Sequence, residues 1–308
     1  MLKFIVRRIF WTIPVLLVVI FLTFIMMRQI EGNPFRQTER AVPESVQRNL
    51  ERKFNLDKPW WQQYLYYVKG VFTGDLGPSL VIRGRDVNDI VKTHFPNSIE
   101  LGFYAFIFAI VVGVPLGMIA ALKQNTWVDY TAMFFSNVFH AIPSFLVATL
   151  LIYFIALKFG ALPTSGWSSW EHKILPSIAL GFAPMALFAR LVRGTMLETL
   201  HQDYVRTARA KGLRYRRVVG LHVLRNSLIP VITAAGPLLG FIITGSFVIE
   251  LIFNIPGIGQ YYVTAVNARD FSVVMGLTVL LSVIIIFANL IVDILYGILD
   301  PRTRDART

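Results

Sequence analysis

Six stretches of this 308-residue chain are too long, too apolar and too poor in charge for the surface of a water-soluble protein, and they limit every other reading. They fall near residues 9–30, 98–122, 131–157, 174–196, 228–253 and 273–299. A hydrocarbon core roughly 30 Å thick is crossed by about 20 helical residues at about 1.5 Å each, and every block meets that length. The composition agrees: 55% hydrophobic residues and a mean hydropathy of +0.58 stand beside a net charge of +12, a pairing soluble domains rarely show. Lys3, Arg7 and Arg8 precede the first block as they would a secretory signal. Its apolar run is too long for one, and Met27, Arg28, Gln29, Ile30 and Glu31 offer no small-residue cleavage pattern, so a retained anchor is expected.

Loop charge predicts orientation. Basic residues begin the chain, crowd the fourth connection (Arg206, Arg209, Lys211, Arg214, Arg216, Arg217, Arg225) and end it (Arg302, Arg304, Arg307). Six spans place all three groups on one side, which the positive-inside tendency makes the cytoplasm, with both termini there. The connections at 158–173 and 254–272 then face outward. So does the polar segment 31–97, where Pro43 and Glu44 open an expected helix carrying Val46, Leu50 and Phe54. Pro59 suits the first turn of a second helix bearing Trp60, Trp61, Tyr64 and Tyr67, aromatics suited to a membrane interface or to an external partner. The expected fold is all-α, with residues 1–97 forming the first helix plus an external helical region and 98–308 a five-helix core.

Polar side chains at membrane depth are costly unless they meet a partner or water. Glu100, Asn137, His140, Arg190, Glu250, Asn289 and Asp293 make up that group. Asn137 and His140 lie one turn apart and share a face, as do Asn289 and Asp293, so Asn137, His140, Glu250 and Asn289 are the candidates for a translocation path. Asp293 has the alternative of pairing with Arg190 or Arg193, and Glu100, Glu250 and Arg190 sit near enough to helix ends to serve structure instead. Small residues at "GVPLG" (113–117) and "GPLLG" (236–240), with prolines at 115, 143, 176, 184, 230 and 237, suit close helix packing and bending.

Motifs for chemistry are missing. There is no G-x-x-x-x-G-K-[ST] phosphate loop, no H-E-x-x-H helix and no G-x-S-x-G elbow. The five histidines show no ligand spacing, and the chain has no cysteine. No catalysis by this chain, and no cofactor bound to it, is expected. The basic fourth connection lacks the aromatic platform of a nucleic-acid site. Its length suits a short helix lying against the bilayer, with Gly212 permitting a sharp exit.

In that connection "RTARAKG" (206–212) resembles the E-A-A-x-x-x-G loop of ABC importer permeases, with Arg206 and Thr207 in place of the usual Glu and Ala. "LHVLRNSLIPVIT" (221–233) is similar to the peptide-importer form, and "MLKFIVRRI", "GDLGPS" (74–79), "AALKQNTWVDY" (120–130), "IELIFNIPGIGQ" (249–260) and "VDILYGILDPR" (292–302) extend the likeness over nearly the whole chain. The chain resembles the first permease subunit of oligopeptide or dipeptide ABC importers (the OppB/DppB type), nearer the oligopeptide branch. That resemblance implies a MetI-like, type I permease fold in a bacterial inner membrane and alternating access shared with a second homologous permease subunit. It also implies an external substrate-binding protein, and two ATPase subunits that hold the ATP and Mg. The loop at about 196–227 would carry a coupling helix, with Tyr204, Thr207, Ala208, Ala210, Lys211 and Gly212 as the contacts to an ATPase subunit. Relatives also carry nickel chelates, glutathione or opines. An ion-coupled secondary transporter is the reading from another class; neither an internal repeat nor clustered membrane carboxylates favour it.

Overall fold

A computed structural model describes residues 2–29, 52, 55–82, 84–244 and 246–299; the helix expected from Pro43 and the arginines at 302, 304 and 307 lie outside them. The described residues form α1 (Leu2–Gln29), α2 (Trp60–Thr73), α3 (Val87–Leu122), α4 (Trp127–Ala141), α5 (Ser144–Lys158), α6 (Trp170–Leu200), α7 (Asp203–Ala210), α8 (Tyr215–Ser227), α9 (Ile229–Thr244), α10 (Phe247–Ile252), α11 (Ile258–Ala268) and α12 (Phe271–Leu299). Among them the only β pairing is an isolated bridge between Pro78 and Asp86. By length and composition, four helices could each cross a membrane, and six spans result if two bent pairs each count as one.

Those bent pairs are where the chain departs from the sequence reading. The block at 131–157 predicts one helix. The chain instead breaks at Ile142 and Pro143, and α4 and α5 meet at 105°. Pro143 is extended (φ −58°, ψ 139°), has no N–H to continue the ladder and forces its predecessor out of the helical region. The block at 228–253 likewise divides, into α9 and the separate α10, and α8 enters its first helix at 45°, just before Pro230. The last parts of α5 (Ile152–Lys158) and the middle of α8 (Val218–Leu224) are wound as π-helix. α3 begins eleven residues earlier than its apolar block, because Asp89 and Lys92 lower the hydropathy of its first turns without disturbing the helix.

The chain divides into two compact units whose boundaries fall inside α3 and α12. In the unit of residues 99–255 and 288–308, α6 is the central helix, and α3, α4, α5, α9 and α10 pack around it. Its contacts with α3 require small residues. A side-chain carbon on Gly113 would stand 2.5 Å from the Met185 carbonyl oxygen, one on Gly181 would stand 2.7 Å from that of Ala105, and one on Gly117 would collide with that of Ala189. The backbones therefore meet almost directly, as the 113–117 spacing predicts. Phe188, Val192, Met196 and Ala189 are fully buried along the same helix. Glu100 ties the Trp170 end of α6 to α3, accepting from Lys173 Nζ at 2.5 Å and Trp167 Nε1 at 3.1 Å.

The unit of residues 2–98 and 256–287 packs α2 on α1. The Tyr64 ring sits edge-on to Phe21 and Phe24 while its hydroxyl donates to the Leu17 carbonyl at 3.2 Å. The aromatic helix thus spends one of its expected interface residues on α1, and Trp60 and Trp61 stay half exposed. Asp270, buried at 1% exposure, organises the loop after "GDLGPS": it accepts from the Ser79 hydroxyl, from Leu80 N at 3.1 Å and from Val81 N at 3.2 Å. The "NIPGIG" turn is held likewise, with Pro256 O accepting from Asn97 Nδ2 at 2.8 Å and Ser98 Oγ accepting from Ile258 N at 3.0 Å.

Candidate coupling surface and path-lining residues

α7 is eight residues long, and its sequence sorts by face. Val205 and Ala208 turn inward onto a cluster with Met196, Val218, Val219 and Val223, whereas Tyr204, Arg206, Thr207, Arg209, Ala210, Lys211 and Gly212 are exposed. Eight residues cannot hold a helix in water unaided, so that inward pair is what seats it. Its end is a Schellman turn: Gly212 N donates to Arg209 O at 2.9 Å and Leu213 N to Ala208 O at 3.4 Å, with Gly212 at φ +76°. Leu213 then packs into the same cluster. A Cβ at 212 would meet nothing within 4 Å, so it is the backbone angle and not crowding at that carbon that favours glycine here. Tyr204 braces α7 against α8, its hydroxyl accepting from Asn226 Nδ2 at 2.8 Å. Arg206 and Asp203 form a solvent-exposed pair at 3.8 Å, a separation and setting that contribute little.

Of the six residues expected at this surface, five are exposed together and Ala208 is not. At 6% exposure it belongs to the seat of α7. Among the residues expected along a path, Asn137 and His140 are both exposed on α4, and Arg190 of α6 donates to Asn137 Oδ1 at 3.3 Å. Asn289 is half-buried on α12. Glu250 is fully buried beside Ile249 and Phe253 and accepts from Ser246 Oγ at 2.5 Å, which favours the structural role left open for it. The side chain of Asp293 lies outside the described residues.

One feature escaped the sequence altogether. Asp129, at 1% exposure, receives both prongs of Arg193: Nε at 2.5 Å on one oxygen and a terminal nitrogen at 2.8 Å on the other. Asn125 N adds a third donor at 3.1 Å. This bidentate pair joins the start of α4 to α6. Asp129 lies two residues before the apolar block at 131–157 and so was not among the polar groups counted at membrane depth, and no spacing in the sequence points from it to Arg193.

Among the described residues no group of three or more metal-ligating side chains occurs. Residues 113–305 match the family of binding-protein-dependent transport system inner membrane components, and residues 1–81 match its membrane-component N-terminal family. The chain belongs to this family of transport permeases. Its relatives include the dipeptide transport system permease DppB of Bacillus subtilis, 46% identical with 99% of this chain and 98% of that protein covered. The oligopeptide transport system permease OppB of Salmonella typhimurium is 47% identical, with 99% and 100% covered, and that of Escherichia coli K12 is 46% identical over the same shares. A chain of the inward-facing MetNI methionine ABC transporter superposes with a TM-score of 0.54 at 18% identity, covering 66% of this permease and 95% of that chain. The likeness is one of fold, and with the helices above it makes this permease an all-α, multi-pass inner-membrane component of the type I, MetI-like kind.

Proposed function

We propose that this permease is the first membrane subunit of an ATP-driven importer that passes peptides, oligopeptides in the main reading and dipeptides in the other, from an external binding protein to the cytoplasm. The full-length likeness to peptide permeases at 46–47% identity carries this reading. A second homologous permease subunit would complete the path, and two ATPase subunits would hold the ATP and Mg and do the hydrolysis, leaving this chain non-catalytic. The exposed face of α7 is the surface for an ATPase subunit: Tyr204, Thr207, Ala210, Lys211 and Gly212 present it, and Ala208 holds it in place. Asn137 and His140 face the path. The connection containing α7 and both termini are cytoplasmic, while α2 and α11 are external; cysteines placed at 168 and 260 are expected to react with an impermeant thiol reagent from outside, and one at 216 only from inside.

The deciding experiment reconstitutes the permease with its second subunit, ATPases and binding protein in proteoliposomes and follows ATP-driven uptake of peptides of increasing length. Two variants separate coupling from folding. Gly212→Ala strains the left-handed angle by about 1 kcal/mol and is expected to keep most uptake. Gly212→Trp adds bulk beyond a Cβ that stands clear of this chain, so a collapse of uptake with normal membrane insertion and thermal stability argues for a partner on that surface. Equal uptake by both variants sinks the coupling assignment.

A further inference from the structure

Arg190 and Arg193 sit one turn apart on α6 and differ in how their charge is met. Arg193 has both oxygens of Asp129. Among the described side chains, which do not include that of Asp293, Arg190 has a single neutral partner, Asn137 Oδ1 at 3.3 Å, and no carboxylate within ion-pair distance. It lies six residues before the end of the apolar block at 174–196, about 9 Å along the axis, where a long side chain can still reach toward the interface. A guanidinium at that depth cannot shed its proton, and it is too costly to leave against hydrocarbon, so it must look into water or onto an anion.

Two groups here offer hydrogens. Arg190 has a planar fork suited to two oxygens at once. Asn137, with Oδ1 taken by Arg190, has its Nδ2 donors to give, and His140 follows one turn along the same exposed face. A donor cluster of this kind fits a ligand that only accepts. Within the peptide-import reading, on which this inference rests, every linear peptide carries such a group whatever its side chains. We propose that Arg190, with Asn137 beside it, engages the free terminal carboxylate of the passing peptide. Holding that end gives a grip on the cargo that does not depend on its sequence.

The test compares a peptide with its C-terminal amide in the reconstituted complex, both at concentrations that saturate the binding protein, for wild type, Arg190→Gln and Arg190→Lys. Because the binding protein is the same throughout, a change in the acid-to-amide uptake ratio belongs to the permease. Wild type is expected to favour the acid, and Arg190→Gln to lower the ratio about tenfold, the scale of one charge-assisted contact. Arg190→Lys keeps the charge without the fork and is expected to fall between. A wild type indifferent to amidation, or an unchanged ratio in Arg190→Gln, overturns the inference. So does failure of Arg190→Gln to assemble, which would mark the arginine as a structural cation or the partner of a lipid or subunit anion. No uptake of either peptide by wild type would sink the peptide-import reading itself.

Discussion

α1 and α6 are both long apolar helices, yet 17% of the apolar window of α1 is buried within this chain against 61% for α6. The less apolar of the two, α6, is the more buried, so hydropathy does not set burial and side-chain size does more. α1 contains neither Gly nor Ala and shows Phe10, Trp11, Leu22 and Met26 to its surroundings. α6 is threaded with Ala179, Gly181, Ala186 and Ala189, which are buried, and carries the two arginines. Apolar character tells which segments enter the membrane. Small residues tell which of them lie inside the bundle, because between apolar surfaces in lipid only close packing and polar bonds favour association.

Substitutions can break or sharpen that contrast. The largest effect is expected at Gly117→Leu, where the new side chain would occupy the space of the Ala189 backbone; no rotamer relieves a clash with a carbonyl, and loss of the monodisperse, detergent-extracted protein should follow. Next is Asp129→Ala. It strands Arg193 beside a cavity at a cost of about 3 kcal/mol, the lower end for a broken buried pair, since the Arg193 side chain is 28% exposed. A drop in thermal midpoint that the double change with Arg193→Met largely reverses would confirm that the pair acts as a unit. The smallest effect belongs to α1. Phe10→Leu exchanges one exposed apolar group for another at 65% exposure and should move stability by less than about 0.5 kcal/mol. If it costs as much as Asp129→Ala, burial within the chain is the wrong measure of which helices matter.

Much of the fold was legible because hydrophobicity is a local property. The end of α7 was legible for a similar reason: only a glycine takes the φ of +76° at residue 212 without strain. What stayed hidden depends on distant partners. The proline at 143 announces a break but not its 105°. Glu250 is acidic at membrane depth whether it faces water or Ser246, and only the packing around Ile249 and Phe253 decides. The π-helical turns leave no periodic trace, since a single extra residue shifts the pattern within seven.

The break between α4 and α5 also bears on how the protein is made. α4 has 15 residues and so extends about 23 Å, short of the roughly 30 Å of a hydrocarbon core, and α5, from Ser144 to Lys158, is no longer. A nascent chain halted after Lys158 would leave the angled pair with the last carbonyls of α4 and the first N–H groups of α5 exposed to lipid, which unpaired backbone does not tolerate. Both halves pack on α6, which is synthesised later. The order of translation therefore leaves an interval in which this bent pair lacks the helix on which both its halves pack.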